Sequence, residues 1–207
     1  SYAAQWRNTL AEVLPSGVEM TQVTAMACDP FTRREPPKGS LRKGCLHFRE
    51  WMPRAVNSLR PGLVVIGHAP GASPELVADF ARAMTERGAA VLWLGPTPDA
   101  PRVSKCMPKG SATVTPCNGP LHSLDFELNS AYGRAAAVSG AAWLDLAKVY
   151  CTPSVCPAVI AGKPVRTGFL GGLSVPALDA GRPWLRQGVL QAIGAEAQGS
   201  KEGGSRP

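Results

Sequence analysis

The sequence has no apolar run of the roughly 20 residues that a membrane-spanning helix requires. Its longest apolar runs, Leu63 to Ile66 and Ala89 to Leu94, have the length of buried strands instead. The chain also does not open on the basic and apolar segments of a signal peptide. Residues 1–207 are therefore expected to form no membrane span of their own.

Metal-ligand spacing is missing as well. The sequence has no CxxC, and its histidines, His47, His68 and His122, are far apart. Zinc sites draw on closely spaced Cys and His ligands, so neither a metal nor another cofactor is expected.

A nucleic-acid surface is not expected either. The formal net charge is +7, but aromatic residues make up only 6% of the chain and are not interleaved with the basic ones. A solvated loop is the first interpretation of the densest basic group, and attraction to an acidic glycan or phospholipid is the alternative. That group consists of Arg33, Arg34, Lys38, Arg42 and Lys43.

Cysteine is present six times, in neighbouring pairs along the chain. Each pair brackets a stretch rich in Pro, Gly or charge that is typical of a loop. We therefore predict three short-range disulfides, which are Cys28–Cys45, Cys106–Cys117 and Cys151–Cys156. Free thiols in the core are the alternative. Disulfides indicate an oxidising compartment, so the chain is expected in the cell envelope or outside the cell. Export would then depend on residues upstream of Ser1.

Helical and strand patterns alternate along the chain. Helices are predicted over residues 2–14, 48–59, 75–87, 123–139 and 176–193. Strands are predicted over residues 18–27, 63–66, 89–94 and 141–146, and loops over 28–44 and 95–120. The alternation predicts an α/β domain over residues 1–194, with a parallel sheet covered on both faces. Residues 195–207 are polar and Gly-rich, and we predict a disordered tail there.

One strand is expected to be missing from this pattern. A doubly wound sheet of this size usually has about five strands, and the sequence predicts one fewer. Because the chain opens directly on a helix, a strand ending just before Ser1 would complete the sheet.

Ligands of open α/β sheets bind beyond the carboxyl ends of the strands. This rule selects Ser1 and Tyr2 at the start of the first helix, the loop that begins at Gly67, and the loop from Gly95 to Asp99. A serine at the head of a helix lies beside free N–H groups that could hold an oxyanion. An ordinary N-cap serine is the alternative.

Among the histidines, only His68 is placed to approach Ser1, because it follows a central strand at this edge. A loop histidine bonded to backbone is the alternative interpretation. Asp99 and Asp145 also follow strands and could orient a base, although Asp145 is interpreted first as a cap at a strand end. We assign no role to His47 and His122.

Several segments, in order along the chain, carry a family resemblance. They are Ser1–Trp6, Ala27–Pro30 with Cys45, Arg60–Ile66, Lys105–Met107 with Cys117, Tyr150–Pro157, and Leu173–Pro176. Together they resemble the SGNH-type esterase domain that follows the membrane-spanning part of bacterial O-acyltransferases of acyltransferase family 3. The resemblance runs from Ser1 to about Ile193. It implies an SGNH (flavodoxin-like) three-layer sandwich with a parallel sheet.

The resemblance implies an activity and partners. Ser1 would be the nucleophile that forms an acyl-enzyme, with its own N–H and Gly67 at the oxyanion wall of the site. The acceptor would be a cell-surface glycan, and the acyl group would come from a membrane domain tethered upstream of residue 1. Outside the cytosol, such a domain would carry out O-acetylation of the cell envelope.

The sequence departs from the family at the general base. The family has Asp-x-x-His immediately before Leu-Ser, and this chain has Phe169 and Gly172 at those positions. Neither side chain can take up a proton, so a catalytically inactive domain that binds glycan or a partner is the alternative function. A third hypothesis is an N-terminal nucleophile hydrolase, in which the α-amino group of Ser1 acts as the base.

Overall fold

The structure is a computed structural model, and it describes residues 4–24, 28–32, 35, 39–68, 71–97, 119–120, 123–160, 163–167 and 172–202. A 3-10 turn over Ala4–Trp6 leads into the first helix. The helices are α1 (Arg7–Val13), α2 (Ser40–Leu59), α3 (Pro74–Thr85), α4 (Ser123–Ser139), α5 (Leu146–Tyr150) and α6 (Val175–Glu202). The strands are β1 (Leu63–Gly67), β2 (Ala90–Leu94), β3 (Gly119–Pro120), β4 (Ala142–Leu144), β5 (Val155–Cys156), β6 (Val159–Ile160), β7 (Lys163–Pro164), β8 (Arg166–Thr167) and β9 (Gly172–Leu173).

The central sheet is parallel, with the strand order β1-β2-β4. Ile66 lies opposite Trp93, and Trp93 lies opposite Trp143. Strand β2 is buried along its whole length, which explains its continuous apolar sequence. The short strands β3 and β5, β6 and β7, and β8 and β9 form separate antiparallel pairs.

Helices cover both faces of this sheet. On one face, Leu92 and Leu94 pack in a core with residues of α1 and α6 such as Leu10 and Leu185. On the other face, Trp93 packs with residues of α3 and α4 such as Val77. The predicted α/β class with a parallel sheet between two helical layers is confirmed.

Two of the predicted disulfides are present in the described residues. Cys28 is bonded to Cys45 across a Cα–Cα distance of 5.3 Å, and Cys151 is bonded to Cys156 across 4.2 Å. These pairings are confirmed. The predicted Cys106–Cys117 pair lies outside the described residues, as does most of the loop predicted over 95–120.

The strand predicted over residues 18–27 is wrong in its described part, because residues 18–24 form no strand. Only Met20 and Val23 in this stretch are partly buried, and they pack against opposite faces of the sheet. A strand of a sheet buries side chains at alternate positions along one of its faces. Two partly buried residues three positions apart do not make such a face. Residues 25–27 lie outside the described part.

Several helix boundaries also differ from the prediction. Helix α2 begins at Ser40, so residues 40–44 of the predicted loop are helical, as suits good helix formers such as Arg42 and Lys43. The strand predicted over 141–146 ends at Leu144, because Asp145 caps the unpredicted helix α5. Helix α6 continues through residues 195–202, which were predicted as part of a disordered tail. Residues 203–207 lie outside the described part. The predicted division into domains stays a prediction.

Other helix boundaries fit the predicted pattern. Helix α4 has the predicted bounds. Ser73 is the N-cap of α3, where its hydroxyl accepts from the N–H of Leu76, and Pro74 is the first helical residue. No helix in the described residues is long and apolar enough to span a membrane.

Candidate functional site

The carboxyl ends of β1, β2 and β4 meet at one edge of the sheet. Gly67 ends β1 and is followed by His68, Gly95 follows β2, and Asp145 follows β4. The N–H of Gly95 donates to the carbonyl of Leu144 at 2.9 Å, which holds the last two loops together. Parallel strands bring all of these loop starts together, so this edge is the candidate site.

His68 is buried at this edge with an exposed fraction of 4%. The indole Nε1–H of Trp93 donates a hydrogen bond to Nε2 of His68 at 2.8 Å. A ring nitrogen that accepts this bond carries no proton, so the imidazole is neutral here. Action of His68 as the substitute base for Ser1 stays a prediction, and use of Nε2 for it would require the bond to Trp93 to break.

Tyr132 of α4 packs over the same histidine. The ring centroids of His68 and Tyr132 are 4.6 Å apart, and those of Trp93 and Tyr132 are 5.6 Å apart. The Tyr132 hydroxyl donates to the carbonyl of Ala72 at 2.7 Å. Burial raises the pKa of Tyr132 to about 12, and the Asp29 carboxylate adds to the rise. The phenol therefore stays neutral and holds the segment that follows β1 against the sheet.

Gly95 is required at the start of its loop by a close approach. A Cβ atom at this position would lie 2.9 Å from Cη2 of Trp143, a contact that the rigid indole could not avoid without moving. The Trp143 ring also packs edge-on against Trp93, with centroids 5.8 Å apart. The floor below the candidate site is thus a set of interlocked aromatic rings.

Asp145 acts at this edge as a helix cap. Its Oδ1 accepts from the N–H of Ala147 at 3.0 Å and from Nδ2 of Asn129 at 3.3 Å. The interpretation of Asp145 as a cap at a strand end is confirmed. Asn129 is 5% exposed, and within the described residues its Oδ1 has no hydrogen-bond partner.

Gln5 connects the beginning of the chain to the segment before α6. Its Oε1 accepts from the N–H of Leu173 at 2.9 Å. Leu173 follows Gly172, which lies in β9 opposite Thr167. Gln5 belongs to the first of the resembling segments and Leu173 to the last, so this bond joins the two ends of the resemblance. The sequence pattern gave no signal for this contact beyond the presence of Gln5 in the first resembling segment.

Other predicted residues fall elsewhere. Ser1, Tyr2, Asp99, His122 and Phe169 lie outside the described residues, so the roles predicted for Ser1, Tyr2 and Asp99 stay predictions. His47 is exposed on α2. Within the described ranges, no group of three or more His, Cys, Asp or Glu side chains is placed to hold a metal ion.

Sequence reasoning missed the residues that fix His68. Trp93 and Tyr132 were assigned only to a buried strand and to a helix. One signal could have found them: a large aromatic residue occurs in each of three successive elements, which are a strand with Trp93, a helix with Tyr132 and a strand with Trp143. The two strands are parallel neighbours in the sheet. Their register, however, is visible only in the folded sheet.

Comparison with known proteins gives two findings. The family profile described as "SGNH domain (fused to AT3 domains)" matches residues 1–165. The solved structure of the periplasmic domain of a lipopolysaccharide acetyltransferase from Salmonella ser. Paratyphi A is similar, with a TM-score of 0.64 and 17% sequence identity. That alignment covers 93% of this chain and 80% of the Salmonella chain, and at this identity it shows the fold alone. No curated protein matches the sequence.

Proposed function

This chain belongs to the family of SGNH domains that are fused to AT3 domains, and from that membership we propose that it is the extracytoplasmic domain of an O-acyltransferase acting on cell-surface glycans. The family match over residues 1–165 is the observation that carries the proposal. The Salmonella domain of the same fold is periplasmic and belongs to a lipopolysaccharide acetyltransferase, which supports both the location and the substrate class.

Ser1 is the proposed nucleophile. Its Oγ attacks the carbonyl carbon of the acyl donor, and the bond to the donor's leaving group breaks as that group takes the proton from Oγ. A glycan hydroxyl then attacks the acyl-enzyme ester, the bond to Oγ breaks, and Oγ takes up the proton that the hydroxyl loses. Backbone N–H groups at the carboxyl edge of the sheet, with Gly67 at the wall, stabilise the oxyanion. The bond between Gln5 and Leu173 supports this arrangement, because it ties the segment after Ser1 to the segment that carries the base in the family.

The proton transfer is the weak step in this chain. Positions 169 and 172 hold Phe and Gly, and Nε2 of His68 accepts a hydrogen bond from Trp93. In a comparable triad, loss of the histidine lowers kcat by about a million-fold. We therefore expect turnover by the usual route to be very slow.

A fluorophosphonate probe tests the nucleophile. We expect the probe to label Ser1 in the intact protein, and Ser1→Ala to abolish the labelling while leaving the folded state unchanged. Intact protein that is folded, yet carries no label at Ser1 after prolonged exposure, would contradict the acyl-enzyme mechanism.

The extracytoplasmic location is proposed on separate grounds. Two disulfides are formed in the part of the chain that the structure describes, and disulfides persist in oxidising compartments. We propose that a membrane acyltransferase domain upstream of residue 1 supplies the acyl group. In intact cells, a membrane-impermeant reagent should modify an exposed residue such as Lys148, and protection of that residue until the cells are lysed would place the domain on the other side.

The second candidate function is a catalytically inactive ectodomain that binds glycan or its membrane partner. Phe169 and Gly172 cannot take up a proton, and His68 is buried, and both facts favour this candidate. It predicts binding to purified surface glycan that is unaffected by Ser1→Ala, with no hydrolysis of acetyl esters. Hydrolysis of p-nitrophenyl acetate that depends on Ser1 would exclude this candidate.

A further inference from the structure

Gln5 makes a contact that joins two parts of the chain 168 residues apart. Its Oε1 lies 2.9 Å from the backbone nitrogen of Leu173. Because a backbone N–H only donates, the amide oxygen must face Leu173, and the orientation of the carboxamide is fixed by this bond. The carboxamide nitrogen Nε2 therefore faces the other way.

The opposite end of the carboxamide has an unusual environment. Nε2 is buried and has no hydrogen-bond partner among the residues that the structure describes. A buried donor without a partner is destabilising, so an apolar side chain of similar length would be favoured if the position only filled space. The neighbouring Trp6 and Leu173 are both buried in one core, which would accept such a side chain. The presence of Gln at position 5 thus points to a need for its oxygen.

Leu173 lies in strand β9, and the opposite edge of β9 forms backbone hydrogen bonds with a neighbouring segment. Strand β9 pairs with β8, and the N–H of Ser174 donates to the carbonyl of Val165 at 2.8 Å. Successive N–H groups of a strand point to opposite edges, so the Leu173 N–H faces away from β8 and needs another acceptor. Gln5 supplies that acceptor from the turn that leads into α1.

We propose that Gln5 is a positioning residue that sets the approach of the Ser1 segment to residues 172–173. Ser1 lies four residues before Gln5, and Gly172 lies one residue before Leu173. The carboxamide is therefore the link between the proposed nucleophile and the position where the family carries its general base. This inference rests on the proposed function of Ser1, and its first test does not require activity.

The first test measures amide hydrogen exchange in the full chain. Gln5→Met removes the acceptor at nearly constant length, and we expect the exchange rate of the Leu173 amide to rise about tenfold. Gln5→Glu keeps an acceptor and should leave this rate within about twofold of the wild type. The Ser174 amide, which donates to Val165, is the internal control and should not change. If Gln5→Met does not fold, Gln5→Asn, which is one methylene too short for the contact, carries the same expectation.

This measurement can overturn the inference. An unchanged Leu173 rate in Gln5→Met shows that the contact does not hold the segment in solution. An equal rise in Gln5→Met and Gln5→Glu shows that the site responds to any substitution, so the oxygen has no special role.

The second test separates positioning from simple stabilisation. Phe169→Asp with Gly172→His restores the family pair, and hydrolysis of p-nitrophenyl acetate is compared with the same chain carrying Ser1→Ala. In the restored chain, we expect Gln5→Met to lower kcat at least about tenfold with KM within about twofold, and Gln5→Glu to recover kcat. An unchanged kcat in Gln5→Met, despite faster exchange at Leu173, overturns the positioning role. Absence of any Ser1-dependent turnover in the restored chain counts against the proposed function instead, and the exchange rates then decide the inference about Gln5.

Discussion

Replacement of Trp93 by Phe removes one buried donor beside the candidate site. Trp93 has no exposed surface, and its indole N–H lies 2.8 Å from Nε2 of a histidine that is 4% exposed. Without the donor, the buried Nε2 of His68 loses this hydrogen bond. Removal of one partner of a buried hydrogen bond costs about 1–3 kcal/mol, so we expect an unfolding free energy lower by about 2 kcal/mol from this bond alone. For a chain of this size, that corresponds to a fall in Tm of about 4–8 °C.

The ring itself also shrinks in Trp93→Phe, so a matched control is needed. Trp143 lies in the same register on the neighbouring strand, and its ring packs edge-on against Trp93 in the same layer. Trp143→Phe therefore estimates the cost of losing indole volume in this layer. Thermal and urea unfolding of both variants, followed by near-ultraviolet circular dichroism, gives the difference between them.

A double-mutant cycle then isolates the pair. In His68→Leu combined with Trp93→Phe, neither partner remains to be left unpaired, so the double variant should be more stable than the sum of the single effects predicts, by about 1–2 kcal/mol. The cycle also cancels the other interactions of His68. Effects that add to within about 0.5 kcal/mol would refute the reasoning. The histidine would then be free of Trp93 in solution, and its predicted role as a base would regain support.

Three further predictions concern stability. Replacement of both Cys28 and Cys45 by Ser should lower the unfolding free energy by about 3 kcal/mol, given the sequence separation of 17, and an unchanged urea midpoint would contradict this. For Tyr132, the pKa is raised from 10.0 to about 12, so its neutral form stabilises the fold below pH 10 and that contribution is lost as the pH rises towards 12. Tyr132→Phe should therefore reduce the loss of stability over this pH range by about 2–3 kcal/mol and cost about 1 kcal/mol at pH 7, and an alkaline unfolding curve with the wild-type slope would exclude the buried phenol as its cause. Asp145→Ala should cost about 0.5–2 kcal/mol through loss of the α5 cap, whereas Asp145→Asn keeps a capping oxygen and should cost less, and equal Tm values for the two variants would argue against capping.

The family assignment and the loss of the base are compatible in physical terms. In the described residues, the scaffold rests on the two cores that flank the sheet and on two disulfides. Catalysis depends instead on a few particular side chains, so a chain can keep such a scaffold and still lack a general base. The Gln5 contact with Leu173 is retained as well, and it uses a backbone group at its receiving end.

Local patterns in the sequence were sufficient for the fold class. The alternation of apolar runs with helical spacing predicted the parallel sheet and its covering helices, because both signals repeat within a few residues. The pairings Cys28–Cys45 and Cys151–Cys156 were predicted for the same reason, since each joins neighbouring cysteines. The strand predicted from the Val and Thr content of residues 18–24 was wrong, because local composition does not show that only two of these residues are partly buried.

The site itself depended on the tertiary structure. The bond from Trp93 to His68 joins a strand to the residue that follows its neighbouring strand, 25 residues away, and the bond from Leu173 to Gln5 joins residues 168 apart. Neither follows from periodicity, because each requires a particular strand register and a particular packing of layers. The sequence by itself determined which kinds of elements form and which residues the family pattern lacks. Only the folded chain decided that His68 is buried as an acceptor and that Gln5 connects the two segments, because long-range approach is set by packing and not by neighbours in the chain.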